Sequence, residues 1–247
     1  FDSNCLGVIL RINSPGGDVY AADLIWRAVE KIKKIKPVVA LLSDVAASGG
    51  YYIALGAQKI VAPVDTITGS IGIFSVKPDF SQFFTNNSIY VSSVKRGSRA
   101  DWHSTHKKMG EEEREVKLKL LQHYYNKFLH IFKKARNLSE SNAKKLAEGR
   151  VYTGKMALLA GLIDANGGLH YSIDEIKKCL KLDEKTNVRV NIILQKKGLI
   201  NSMKQLLQTR SEFIDIFHGF HDFHGLKLKT DWHKAVWAYM PIVYEVQ

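Results

Sequence analysis

Apolar and polar positions fall into blocks along the first third of the chain, and the period changes from block to block. The apolar run Leu6 to Ile12, centred on Val8-Ile9-Leu10, predicts a short buried strand. The cluster Asn13-Ser14-Pro15-Gly16-Gly17-Asp18 stops it. From Val19 to Lys36 the apolar residues Ala22, Ile25, Val29 and Ile32 recur at spacings of three and four, which predicts a helix, and Pro37 ends the pattern. Val38 to Leu42 predicts a second strand, Ala46 to Ala54 a small-residue turn opening a short helix, and Lys59 to Ala62 a third strand. Strands and helices in alternation predict parallel strands joined by crossover helices, an α/β domain.

Thr68 to Phe74 and Ile89 to Val94 predict two further strands, and the polar stretch Lys95 to Gly110 a loop. Glu111 to Arg136 predicts a long helix, acidic at its start and basic at its end as the helix dipole favours, with Val116, Leu120, Tyr124 and Phe128 on one face. Shorter helices follow to about Leu182; Val188 to Leu194 predicts a strand and Leu199 to Phe217 a helix. The tail from His218 is aromatic and histidine-rich, and Ala235 to Met240 suits a partner-docking strand or an edge strand of its own protomer. The expected division is a main domain over residues 1–187 and a carboxy-terminal extension over 188–247.

Composition narrows the class. The 247 residues are 45% apolar and 24% charged, with 18 Gly and 5 Pro, which excludes low-complexity disorder and collagen. The formal charge of +12 invites nucleic acid, but Lys31, Lys33, Lys34 and Lys36 interleave with Ile32 and Ile35 as the wet face of a helix, and no recognised binding motif accompanies the charge. No nucleic-acid partner is expected. Cys5 and Cys179 make no disulfide framework and leave the redox compartment open. No run approaches the 18 apolar residues of a membrane helix. Because Phe1 leads almost directly into an apolar strand, the sequence is expected to begin inside a longer polypeptide, with any targeting segment upstream.

Two glycine-rich turns, each after a predicted strand, carry the strongest chemical signal: Ser14-Pro15-Gly16-Gly17-Asp18 and Ala47-Ser48-Gly49-Gly50. A serine at the start of a helix has its hydroxyl in the positive end of the dipole, and the Gly49 N–H is free to face an oxyanion. Gly17, unhindered by a side chain, supplies a second N–H from the neighbouring strand end, giving a two-donor hole around a carbonyl attacked by Ser48. The plain alternative is that Ser48 is an N-cap and the glycines are turns. His218, His221 and His224 with Asp222 recur every three residues, but Gly219 and Gly225 weaken the helix and Phe217, Phe220 and Phe223 suit a packing strip, so no metal is predicted, and no cofactor.

Read together and in order, these stretches resemble the signal peptide peptidase A (protease IV) family of serine-lysine peptidases. The resemblance runs through Asn13 to Gly17, Asp44 to Ala54, Thr68-Gly69-Ser70-Ile71-Gly72, Gly149-Arg150-Val151-Tyr152-Thr153-Gly154 and Gly161-Leu162-Ile163-Asp164, and covers roughly residues 6–180. It implies a ClpP/crotonase-type superhelix of β-β-α units with a helical arm. It further implies Ser48 as nucleophile, the N–H groups of Gly17 and Gly49 as the oxyanion hole, and Ser70 as the residue that orients a lysine general base. The implied substrates are cleaved signal peptides and other short apolar peptides. The implied setting is a homo-oligomer, bowl-shaped with its sites inward, on the extracytoplasmic (periplasmic) side of a bacterial inner membrane, anchored by a segment outside this chain.

The sequence departs from the family at the lysine. Single-domain members carry it in a Gly-x-x-Lys-Asp stretch; the matching stretch is Gly97-Ser98-Arg99-Ala100-Asp101, so Ala100 takes the lysine position. Arg99 is no substitute, because guanidinium stays protonated. In double-length members one half gives the lysine and the carboxy-terminal half the serine, and Asp23-Leu24-Ile25-Trp26-Arg27 and Val94-Lys95-Arg96-Gly97 resemble those carboxy-terminal halves. The competing expectation is an inactive homologue kept as an assembly module. Lys95, Lys107 and Lys108 are local candidates for the base, although a working base needs burial that a loop lysine lacks. An acyl-CoA enzyme of the crotonase branch, with Asp18, Asp44 or Asp65 moving protons, is the weakest reading, because Ala-Ser-Gly-Gly-Tyr is the peptidase pattern.

Overall fold

A computed structural model describes residues 4–193 and the backbone of 242–246. The first strand, β1 (Gly7–Ser14), is followed by α1 (Val19–Lys33), β2 (Val38–Ala47), α2 (Gly49–Ala54), β3 (Lys59–Ala62) and β4 (Ile67–Gly69). Then come α3 (Ser81–Asn86), α4 (Glu111–Ala135), α5 (Glu140–Leu146), β5 (Val151–Thr153), α6 (Gly154–Leu159), β6 (Ala165–Asn166), α7 (Leu169–Leu180), β7 (Val190–Ile193) and β8 (Ile242–Val246). The sheet runs β5-β4-β2-β1-β8-β7, with β3 and β6 branching from β2. The α/β class expected from the alternation is the one observed.

Strand β2 organises the sheet. It pairs in parallel with β1 along one side, while on the other side its first half pairs with β3 and its last residues, Val45 to Ala47, with β4. One long strand thus serves two neighbours on the same side, and the sheet splits there. The apolar runs are near-continuous because both faces are covered. Leu10, Ile12, Ala40, Leu42, Ile60 and Ala62 pack towards α1, α2 and α4, where Phe128 and Phe132 are fully buried. The alternate residues Ile9, Val39, Leu41 and Val61 pack on Ile176 of α7. Truncating a buried phenylalanine such as Phe132 to Ala costs about 3–5 kcal/mol, since the cavity adds to the lost burial.

Three expected elements differ. The strand over Thr68 to Phe74 ends at Gly69, because Gly69 and Ser70 take positive φ (82° and 48°) and turn the chain out of the sheet. Ile89 to Val94 is not a strand: β5 pairs antiparallel with β4 and fills the free edge there, so this β-branched segment finds no ladder and leaves Tyr90 95% exposed. In α4 the buried residues are Glu113 near the start and Phe128, Leu129, Ile131 and Phe132 near the end; Val116 and Tyr124 are half-buried and Leu120 is exposed. Only the carboxy-terminal half of that helix lies on the core. Within the segment read as an extension, β7 pairs with β8 and β8 with β1, both antiparallel. The helix expected over Leu199 to Phe217, the histidines 218, 221 and 224 and the stretch Ala235 to Met240 lie outside the described residues.

Candidate active site

The register of three parallel strands gathers the motifs. Ser14, the last residue of β1, pairs with Ala46 of β2, and Ala47 pairs with Gly69 of β4. The residues just past the three strand ends, Gly16-Gly17, Ser48-Gly49 and Ser70, therefore emerge at the same edge of the sheet, where α/β folds place their ligands. A register irregularity between Ile12 and Ser14 is filled by the Asn13 side chain, whose Oδ1 accepts from the Val45 N–H at 3.2 Å. The asparagine of Asn-Ser-Pro-Gly-Gly is thus a splint between β1 and β2.

The two glycine turns touch through their backbones. A Cβ on Gly16, whose φ is 111°, would lie 2.8 Å from the Ser48 Cβ and 3.0 Å from the Gly49 nitrogen. A Cβ on Gly50 would lie 2.6 Å from the Ser14 carbonyl oxygen. Glycine is needed at both positions for the approach. That contact brings the backbone of Gly17 up against Gly49: the Gly17 nitrogen lies 3.5 Å from where a Cβ on Gly49 would sit. Among the described residues no backbone carbonyl or side chain accepts from either N–H. Two unspent donors at one point are what an oxyanion requires.

Ser48 stands between them in a strained conformation, φ 50° and ψ −117°. Its N–H donates to the Gly69 carbonyl at 2.9 Å and its carbonyl accepts from the Tyr52 N–H at 2.8 Å, so both sides of the strained residue are held. Such a backbone costs on the order of 1–3 kcal/mol and persists only where neighbours fix it. The hydroxyl makes no capping hydrogen bond to α2. Ser48 therefore occupies the N-cap position without doing the work of a cap, and the plain alternative from sequence loses its ground.

Ser70 is held in its turn by the Gly149-to-Gly154 motif. Its φ is 48°, its N–H donates to the Arg150 carbonyl at 2.7 Å, and the Gly149 N–H donates to the Ile71 carbonyl at 3.0 Å. Tyr152 of β5 lies against Gly69, and Thr153 caps α6 by accepting from the Met156 N–H. The Gly161-to-Asp164 motif works further away: Asp164 accepts from the Ile60 N–H at 2.7 Å and pairs with Arg136 at 3.0 Å, joining β3 to the end of α4.

Among the described residues no lysine joins this group by the contacts it makes. Lys95 and Lys107 both bind Asp101 at 2.9 Å, and Lys107 also binds Glu113 at 2.6 Å; Lys108 is exposed. The two carboxylates push the Lys107 ammonium upward, opposite to what a general base needs, and the two lysines hold Asp101 well below the usual carboxylate range. Ala100 is exposed in the same loop. Asp18 is spent as the N-cap of α1, accepting from the Ala21 N–H at 2.7 Å, and Asp44 and Asp65 are exposed, so none of these three carboxylates replaces the base either. Among the described residues no cluster of His, Cys, Asp and Glu is arranged to hold a metal ion, and no helix is long and apolar enough to cross a membrane.

One cluster went unrecognised in the sequence. Asp23 of α1, buried at 8% exposure, receives Arg27 at 2.8 Å, the Tyr52 hydroxyl at 2.7 Å and Lys127 of α4 at 2.7 Å. Burial raises this carboxyl, but the hydrogen bonds from Lys127, Arg27 and Tyr52 outweigh it and hold the pKa at about 2. The available signal was an aspartate in the apolar stripe of α1 beside Ala22, with a lysine preceding the apolar run Phe128-Leu129 of α4.

The chain is similar to several known proteins. The model of peptidase family S49 matches residues 30–183. A putative signal peptide peptidase SppA of Enterococcus faecium is 36% identical over 75% of this chain and 54% of its own length. The chloroplastic serine protease SPPA of Arabidopsis thaliana is 39% identical over 74% of this chain and 26% of its own length. Protease 4 of Haemophilus influenzae is 34% identical over 76% of this chain and 31% of its own length. The chain thus spans about half, or less, of the length of these three relatives. Among solved structures a ClpP1 mutant from Listeria monocytogenes superposes with a TM-score of 0.46 at 16% identity, covering 67% of this chain and 75% of that one. The family model covers well over half of the chain and takes in the Ser48 turn, the Ser70 turn and the strand that holds it: this chain belongs to peptidase family S49.

Proposed function

We propose that the chain is the serine-bearing part of a Ser-Lys peptidase that hydrolyses cleaved signal peptides and other short apolar peptides. The observation that carries this is the strained, uncapped Ser48 beside the two unspent N–H groups of Gly17 and Gly49. Ser48 Oγ attacks the scissile carbonyl and forms an acyl-enzyme, Gly17 and Gly49 donate to the oxyanion, and the leaving amine takes the proton removed from the serine. The proton carrier is a lysine from outside this chain, given by a related half of a longer polypeptide and oriented by Ser70. Ala100 at the family's lysine position, and Lys95 and Lys107 held by Asp101, support an external origin. The working form is a homo-oligomer at the extracytoplasmic face of a bacterial inner membrane, anchored by a segment outside this chain.

A second reading is an inactive homologue that completes an oligomer, and the same Ala100 favours it. Labelling with a serine-reactive fluorophosphonate separates the two. The proposal expects labelling of the longer polypeptide that contains this chain, none of its Ser48→Ala variant, and none of the isolated chain. Labelling of the isolated chain would relocate the base to this chain. No Ser48-dependent labelling of the assembled longer polypeptide would leave the assembly module standing.

A further inference from the structure

The cluster around Asp23 lies behind the nucleophile, and its route to Ser48 is short. Tyr52 follows Ser48 by one helical turn, and its N–H holds the Ser48 carbonyl at 2.8 Å. Its ring sits edge-on between Trp26 of α1 and Phe128 of α4, with centroids 5.9 and 5.0 Å away. Its hydroxyl donates to Asp23 Oδ1, the same oxygen that receives Lys127. A single side chain of α2 is thus clamped by α1 and α4 through both its ring and its hydroxyl, while its backbone closes on the strained residue.

We propose that Tyr52 is a positioning residue for Ser48, held in place by the Asp23 carboxylate and, through it, by Lys127 of α4. The inference deepens the peptidase reading and rests on it. The physical ground is that a residue at φ 50° and ψ −117° relaxes unless its neighbours fix it, and among the described residues two backbone hydrogen bonds flank Ser48. One is donated to the carbonyl of Gly69, the last residue of β4; the other comes from Tyr52. Loosening Tyr52 lets the Ser48 carbonyl rotate and the hydroxyl leave its line towards a carbonyl bound at Gly17 and Gly49. Misplacement on the scale of one ångström lowers the chemical step without removing substrate contacts. The cluster also makes α4 a lever: its carboxy-terminal half grips Tyr52 through Lys127 and Phe128, while its first half projects from the core.

The test uses the longer polypeptide and a fluorogenic apolar tripeptide amide, with Tyr52→Phe and Lys127→Met compared with wild type below each protein's unfolding transition. Tyr52→Phe keeps the ring and removes only the hydroxyl. The expected result is a fall in kcat of about tenfold for Tyr52→Phe with KM unchanged, and a smaller fall in the same direction for Lys127→Met. Fluorophosphonate labelling slows by the same factor and still reaches full stoichiometry. Tyr52→Phe turning over at the wild-type rate overturns the inference, as does a loss spread over kcat and KM in step with lowered Tm, which marks a purely structural contact. Wild type with neither turnover nor labelling overturns the peptidase reading itself, an outcome distinct from the other two.

Discussion

Two neighbouring regions of this molecule are built in opposite ways. The turns at the ends of β1, β2 and β4 meet backbone to backbone, so closely that a methyl group on Gly16 or Gly50 has no room. The segment that leaves Ser70 and runs to Gly110 carries only the short α3, exposes Phe74 at 86% and Tyr90 at 95%, and is tied down by lysine–carboxylate pairs at its end. The first region holds Ser48 and the unspent N–H groups of Gly17 and Gly49, to which the proposed function gives the roles of nucleophile and oxyanion hole. The second holds the position where the family keeps its base, and Ala100 is there instead. On the proposed function the sheet prepares half of a catalytic site, and among the described residues the loops do not complete it.

The largest effect that can break this contrast is at the first region. Ser48→Ala should abolish fluorophosphonate labelling of the longer polypeptide while leaving its fold intact, since alanine removes only a hydroxyl that makes no capping bond. Residual labelling at another serine would show that the turn is not the nucleophile's seat. Gly16→Ala should be nearly as damaging by a different route. Its Cβ would press on Ser48 and Gly49 at a φ that alanine resists, costing about 3 kcal/mol or more in a urea titration and silencing Ser48 as well. A stable, labelled Gly16→Ala protein would mean that the two turns are looser than their contacts indicate.

The same contrast explains what the sequence revealed. Strands and helices up to Ala62 were legible because both faces of the sheet are buried, giving unbroken apolar runs, and because Pro37 and the glycine turns punctuate them. The gathering of Gly17, Ser48, Gly49 and Ser70 at one edge of the sheet was legible because they lie at strand ends whose form short local motifs dictate. Ile89 to Val94 misled because β-branched residues signal a strand only where a ladder is available, and β5 had taken the place. The helical face expected on α4 failed for a related reason: periodicity shows which side of a helix is apolar but not how far the core extends beneath it. Asp23 was illegible as a site because its partners Tyr52 and Lys127 come from two other helices, at separations no local motif spans.

Acid sharpens the comparison at a middle magnitude. Asp23 titrates near 2 in the folded chain against an ordinary 3.8, so its contribution is complete above about pH 4 and is lost as pH falls towards 2. The difference amounts to about 2 kcal/mol. Asp23→Asn should therefore lower stability by about that amount near pH 7 and flatten the acid limb of the unfolding free energy between pH 4 and 2. An acid limb that keeps its wild-type slope in Asp23→Asn would place the acid sensitivity elsewhere.

The smallest effect belongs to the second region, and its smallness is the point. Asp101 is gripped by Lys95 and Lys107, and its carboxyl is held far below the usual range, but the pairs sit at the protein surface, where water and salt screen them. Lys95→Ala should shift Tm by no more than about 2 °C and Lys107→Ala by more, because it also takes the ammonium from the buried Glu113, and each should change the labelling rate of the longer polypeptide by less than about twofold. Lys107 is made more basic by its two carboxylate partners and Lys95 is held by Asp101, so on the proposed function neither removes a proton from Ser48. A collapse of labelling in either variant would overturn that reasoning. It would show that the loop swings over the strand ends when substrate binds and that the region built as loose surface completes the site after all.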